Sequence, residues 1–300
     1  MASQKKTTHT TFRLATLFTL LTVIMGSMVC ATESGMACPT WPGCYPGQPF
    51  PSFSLPPWIE FTHRVISAGC LILLAMSGLS VWKSHKDRPL VRWLPWVALA
   101  NAIAAAVFGM SIIFWGLPAP LAALDLLTAL VALFAITLAT VALGRDAVRW
   151  TWTKTSTAGS ILVGTTAVLH MLGILVAGVE SYTRCLGWPL LSLLGYDGHP
   201  AGQVARWALA GTIFVGLTWM AVTRRGLWAV GLGLLTIEVV LGFVLLNSGI
   251  SPALATVYSL LAAGILFTMM LATARAAIVA AQPRTTQAAP APAGLQKTGS

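Results

Sequence analysis

Charge is what this sequence has least of. Only 9% of its 300 residues are charged and 8 are acidic, while 56% are hydrophobic and the mean hydropathy is +0.79. A water-soluble domain of this length could not hide so much apolar surface, so the chain reads as an all-α integral membrane protein. Histidine is scarce too, with five in the chain. No second His or Cys stands near His63 at the spacing a tetrahedral zinc site would need. A small-x-small cleavage site is also missing after the first apolar run, "RLATLFTLLTVIMGSMVC", and no small residue precedes its Cys. That run is therefore read as a membrane helix and not as a secretory or lipoprotein signal.

A helix needs about 20 apolar residues to cross the hydrocarbon. Eight runs between charges and Pro/Gly clusters are long enough, at roughly 14–32, 58–81, 93–115, 119–143, 157–179, 203–223, 226–247 and 252–274. The net charge of +10 is a matter of topology. Of the 18 Lys and Arg, 15 fall on one side of an eight-span arrangement, leaving only Arg64, Arg184 and Arg206 for the other. By the positive-inside rule both termini are cytoplasmic, in a multi-pass protein of the cell membrane, and no nucleic-acid partner is implied. Trp58, Trp82, Trp93, Trp115 and Trp228 lie at span ends, as an interfacial belt requires. His9 and His85 fall in cytoplasmic segments, and the Pro/Ala/Gln/Thr-rich tail 282–300 has nothing to bury and is expected to be disordered.

The first external loop carries "CPTWPGC" at 38–44. On the outer side disulfides persist, so Cys38 and Cys44 are read as a disulfide or redox-active pair, with two unpaired thiols as the alternative. Cys70, inside a span, is a small apolar residue.

The two halves of the chain resemble one another. "FGMSIIFWG" and "LGFVLLNSG" each hold two Gly seven apart and precede a Pro; "HRVISAG" at 63–69 faces "ARWALAG" at 205–211, and "CPTWPGC" faces "CLGWPLL" at 185–191. The implied architecture is eight transmembrane helices in two tandem four-helix bundles related by internal duplication. It divides into an N-terminal tail (1–13), an N-terminal unit with the Cys loop (14–144), a linker (145–156), a C-terminal unit (157–281) and the tail (282–300). Across the two units His63 corresponds to Ala205, Glu60 to Gly202 and Cys44 to Leu191, so polar chemistry is kept only in the first.

In "WIEFTHR", Glu60 and His63 are three apart and share a helix face, while Arg64 turns about 100° away. Asp125 enters from the same side of the membrane in the fourth span. Ionisable groups at such depth usually face a bundle interior or a wet cavity. A hydrogen-bonded interfacial His beside a Glu60–Arg64 ion pair is the structural alternative. As a metal ligand, one imidazole next to an apolar slot suits haem iron better than zinc. Arg64 and Arg206 would suit the acidic propionates. Asp125 reads either as an acid–base group or as a buried hydrogen-bonding residue, and Glu238 in the seventh span has the same two readings.

The order of a span, "ESGMACPTWPGCYPGQ", "WIEFTHR" and then "GLPAPLAALDLL" resembles the haem A synthase (cytochrome oxidase assembly) family over nearly all of residues 10–275. The resemblance implies two four-helix repeats and oxidation of a haem O methyl to the formyl of haem A, with haem b in the C-terminal unit. It also implies a redox-active pair at Cys38 and Cys44, a conserved acid at Glu60 and an axial ligand at His63. The family's four histidines align with His63, Asp125, Ala205 and Ser259, so three of four are absent and the haem b site is in doubt. His170 and His199 are the nearby substitutes, and neither matches a family ligand. The expected functional set is therefore Glu60 and Asp125 as catalytic acids, His63 on haem iron, Arg64 and Arg206 near the haem, and the cysteine pair. Implied partners are the lipid bilayer, haem O synthase, oxidase-assembly proteins, a membrane electron donor and a second copy of the chain. With three ligands lost, a non-catalytic haem-binding or assembly protein is the alternative. A transporter is a third class, but no Gly/Pro-broken pair of spans marks a midplane site.

Overall fold

The structure is a computed structural model, described here for residues 2–48, 50–116, 118–145, 149–176, 185, 187–189, 200–248 and 251–278. The tail 282–300, Arg184, Leu191 and His199 lie outside the described residues. Eight long helices account for nearly all the rest: α1 (Ala2–Ala31), α2 (Leu55–Trp82), α3 (Pro89–Trp115), α4 (Ala119–Gly144), α5 (Lys154–Val176), α6 (Pro200–Arg224), α7 (Leu227–Ser248) and α8 (Pro252–Ala277). All eight are long and apolar enough to cross a membrane. Among the described residues there is no strand, only isolated bridges. The chain is an all-α, eight-span, multi-pass membrane protein, as composition and run length require.

Helix starts follow local chemistry. Proline stands in the first turn of α2, α3, α4 and α8, where its missing N–H is not needed. At α8 the Ser251 hydroxyl also accepts from the Leu254 N–H, 3.3 Å. Gly116, at φ +82, ends α3 in a conformation that favours glycine, so that α4 can start three residues later.

Packing follows a simple order. In the first half α1 meets α2, α2 meets α3, α3 meets α4 and α4 meets α1; in the second half α5, α6, α7 and α8 repeat that ring. The halves join through α1 with α8, α4 with α5, and α4 with α8. Consequently α4 and α8 are the most enclosed helices and α3 the least. One apolar core runs through the second half and across this seam, where Val23, Leu130 and Leu133 pack with Leu162, Leu217, Tyr258 and Met269. A second fills the first half toward the chain termini, around Phe12, Leu74, Val91 and Ile136.

At the end of the bundle that carries the termini, basic side chains close helix C-termini. Arg88 Nη2 donates to the Ala142 carbonyl at 2.7 Å, and Arg145 Nη1 donates to the Ile278 carbonyl at 2.8 Å and to the Arg275 carbonyl. Last-turn carbonyls lack intrahelical donors and carry the negative end of the helix dipole, so cations settle there. Arg92 lies over the Trp82 ring, 4.2 Å from its centroid. The opposite end, reached by the C-termini of α1, α3, α5 and α7, carries the cysteine loop.

Candidate functional site

The loop between α1 and α2 is held by two side chains from the first turns of α2. Residues four apart on a helix lie one above the other, so Glu60 and Arg64 meet as an ion pair. Glu60 is 4% exposed, and its other oxygen, Oε2, accepts the Cys38 N–H at 2.8 Å. Arg64 Nη1 donates to the carbonyls of Thr40 (2.5 Å) and Gly43 (2.7 Å), and Nη2 to that of Cys38 (2.9 Å). The planar guanidinium fork thus gathers three loop carbonyls and a carboxylate in one plane. Cys38 and Cys44 form a disulfide with Cα atoms 4.3 Å apart, and both are fully buried. The expected pairing is present, and its sulfurs are sheltered beneath the loop they close.

His63 is treated differently. Its ring rests on α1 at Gly26, where a Cβ would lie 3.3 Å from the imidazole Cε1. Neither ring nitrogen makes a hydrogen bond among the described residues, and Nδ1 is buried. A half-buried imidazole whose inner nitrogen has no partner is unusual, and it leaves a nitrogen lone pair available to a metal ion. Asp125, half-buried two turns into α4, also has a carboxylate that no described hydrogen bond or ion pair engages. No hydrogen bond or ion pair joins Asp125 to Glu60, His63 or Arg64. Among the described residues no group of three or more His, Cys, Asp and Glu stands ready to hold a metal ion, which leaves His63 as the single donor of this half.

Arg206, the counterpart of Arg64 in the second half, lies on α6. It is fully buried, and its Nη2 donates to the Gly187 carbonyl at 3.2 Å. When "CPTWPGC" is set against "CLGWPLL", Thr40 faces Gly187 and Arg64 faces Arg206, so the same arginine-to-loop hydrogen bond occurs in both halves. The two positions aligned with the family's C-terminal ligands are otherwise employed. Ala205 is exposed on the outside of α6. Ser259 is buried and donates to the Cys185 carbonyl at 2.7 Å. Neither residue can ligate iron, and the segment below them is filled: Trp188 is 4% exposed and its carbonyl accepts from the Tyr258 hydroxyl at 2.8 Å.

A second disulfide, Cys30–Cys185, escaped the sequence reading. It joins the end of α1 to the segment before α6 across 155 residues, with Cα atoms 5.6 Å apart. Ser27 of α1 also donates to the Cys185 carbonyl, at 2.8 Å. The available signal was positional, since Cys30 and Cys185 each follow an odd-numbered span and so reach the same end of the bundle.

No protein-family model matches the chain. Among curated proteins, it is 26% identical over 211 residues to a protein named "Heme A synthase" from Bacillus licheniformis, covering 66% of this chain and 67% of that one. It is 33% identical over 87 residues to a "Heme A synthase" from Shewanella oneidensis, covering 23% and 25% of the two chains. A "Protoheme IX farnesyltransferase" from Chloroflexus aurantiacus is 31% identical over 104 residues, or 35% of this chain and 17% of that protein. The match thus spans about two thirds of the first relative and a quarter or less of the other two. With the Cys loop, the Glu60–Arg64 clamp and the His63 imidazole in place on an eight-span bundle, these likenesses make the chain a relative of the haem A synthase family.

Proposed function

We propose that the chain is a haem A synthase-like membrane oxidoreductase that takes haem O as substrate and oxidises its methyl group to the formyl of haem A. The substrate is held in the N-terminal unit, residues 14–144, with His63 as axial ligand to the substrate iron. One observation carries this reading: a half-buried His63 imidazole, one residue from the Arg64 that holds the cysteine loop, with neither ring nitrogen engaged. A single nitrogen donor and an apolar surround suit a porphyrin. The Glu60–Arg64 pair holds the loop over that site, and the fixed charge of Arg64 favours propionates at its mouth. Asp125, unengaged at the same end of α4, is the group free to accept or return a proton. The Cys38–Cys44 pair is the redox or structural element of the loop.

The two positions of the C-terminal unit that align with family ligands do not supply them. Ala205 offers no donor atom, and the Ser259 hydroxyl is committed to the Cys185 carbonyl. Methyl to formyl is a four-electron oxidation. Written as two hydroxylations, each takes up one dioxygen, two protons and two electrons from an external membrane donor and releases one water, and the resulting geminal diol loses water to give the formyl. The repeated ring of helix contacts and the repeated arginine-to-loop hydrogen bond support internal duplication with erosion of the second copy. The basic excess at the terminal end supports a cell-membrane orientation with both termini cytoplasmic and the Cys loop outside. Haem O synthase and oxidase-assembly proteins are the corresponding partners, with a second copy of the chain as a further one.

Detergent-purified protein reconstituted with haem is expected to show a Soret band that His63→Ala abolishes or shifts. In a host supplied with haem O and a donor, the same variant should lower haem A content. Absence of any Soret band, or indifference of both readouts to His63→Ala, sinks the assignment. A second reading, a non-catalytic haem-handling or oxidase-assembly protein, is favoured by the committed Ser259 and buried Trp188 where the family's C-terminal site would be. It predicts haem binding through His63 with no haem A formed, and measurable conversion of haem O excludes it.

A further inference from the structure

The polar interior of α5–α8 takes no part in the function proposed above. His170 of α5 is 1% exposed and neither ring nitrogen has a hydrogen-bond partner; Glu238 of α7 is fully buried and neither carboxylate oxygen has one; the indole N–H of Trp188, 4% exposed, is a further orphan. Trp188 lies beside both of the others. The His170 and Trp188 rings meet edge to face with centroids 6.4 Å apart. The Trp188 backbone lies beside the Glu238 carboxyl, and the Arg206 guanidinium donates to the carbonyl of the adjacent Gly187.

Folded interiors pair nearly all buried polar atoms, so a local concentration of unpaired ones marks the place of a missing partner. A metal ion is a poor candidate, because no group of three His, Cys, Asp and Glu gathers here among the described residues. An organic ligand would have to displace Trp188, and that segment is pinned by Tyr258 on the Trp188 carbonyl, Arg206 on the Gly187 carbonyl, Ser27 and Ser259 on the Cys185 carbonyl, and the disulfide to Cys30. Water has two donors and two acceptors, which suits a mixed set of an imidazole, an indole N–H and a carboxylate.

We propose that ordered water molecules bridge His170, Trp188 and Glu238, making a hydrated pocket in the middle of the C-terminal helices. Arg206 extends its polar lining toward the Cys-loop end, where its Nη1 meets Gln203 Oε1 at 3.2 Å near the start of α6. The proposed pocket lies between that end of the bundle and Glu238, halfway along α7. It is a property of this half alone and is independent of haem binding at His63.

Radiolytic hydroxyl footprinting of the full-length protein in detergent tests this directly, because radicals formed in bound water oxidise side chains that bulk solvent cannot reach. Trp188 and His170 should be modified at least about tenfold faster, after correction for intrinsic reactivity, than Met220, which is fully buried among apolar residues. The rate at Trp188 should survive Glu238→Gln, which keeps the hydrogen-bonding shape, and fall to the Met220 level in His170→Phe/Glu238→Leu. Trp188 modification as slow as that of Met220 in the unaltered protein overturns the proposal whether or not the double variant folds. A Trp188 rate unchanged in a folded double variant overturns it as well.

Discussion

At the scale of single residues, Arg64 is the most connected side chain of the candidate site. Arg64→Met would leave the Glu60 carboxylate, 4% exposed, with only the Cys38 N–H to satisfy it. Removing one partner of a buried charge pair costs about 3–5 kcal/mol, so the melting temperature in detergent should fall sharply. Arg64→Lys should recover little, since an ammonium cannot reach three carbonyls in the plane of a fork. Gly26 makes a second test. Leucine there must push the His63 ring aside from its 3.3 Å approach, an overpacking that costs about 1–3 kcal/mol. Haem titration should show weaker binding for Gly26→Leu and none of that loss for Gly109→Leu, whose added Cβ meets nothing within 4 Å. The Glu60–Arg64 ion pair was legible from four-residue spacing on a helix, whereas the His63 ring, three residues after Glu60, turns to Gly26 of α1. What Arg64 holds was not legible, because its partners are backbone carbonyls, and carbonyls leave no mark on residue identity. Gly26 was equally silent, being one small residue in an apolar run until the ring of another helix comes to rest on it.

At the scale of elements, the segment before α6 decides how the second half differs from the first. It is fastened to α1 by Cys30–Cys185 and to α8 through Ser259 and Tyr258. Cross-links that close long loops restrict the unfolded chain most, and a bridge of this kind typically contributes about 2–4 kcal/mol. Cys30→Ser should therefore lower thermal stability by an amount of that order. It should also leave Cys185 as a thiol, seen as one additional maleimide adduct by mass spectrometry after unfolding without reductant. If the parent protein already gives that adduct, the bridge is absent. Most helix boundaries followed from runs of apolar residues and from prolines in first turns, but α1 starts at Ala2, well before the apolar run at 14–32, and takes in nearly all of the expected tail 1–13. The position of this segment followed from neither, because its attachments reach α1 and α8, far away in sequence.

At the scale of the whole molecule, the halves meet through α1 and α8, α4 and α5, and the central pair α4 and α8. Exchanging the halves exchanges the first two contacts and maps the third onto itself, the arrangement expected of a pseudo-two-fold relation. A protease site placed between Arg145 and Arg149 makes the covalent side of this join measurable. After cleavage the two parts should migrate together on a non-reducing denaturing gel and separate on reduction. In the Cys30→Ser background they should separate without reductant, yet still elute as one species in mild detergent, because the apolar seam remains. Separation in mild detergent would mean that the disulfide, and not side-chain packing, joins the halves.

The amino-acid sequence by itself determined that eight helices are long and apolar enough to cross a membrane and that Glu60, His63 and Arg64 stand on one helix that follows a cysteine loop. Apolar run length and helical periodicity are local properties, and the bilayer allows few ways to satisfy them. Only the tertiary structure decided that Cys30 pairs with Cys185, that Ser259 serves a carbonyl, and that His63 stands unpaired while Arg64 is fully engaged. Each of these depends on which distant helix lies alongside, a choice made by packing between halves that no local pattern records.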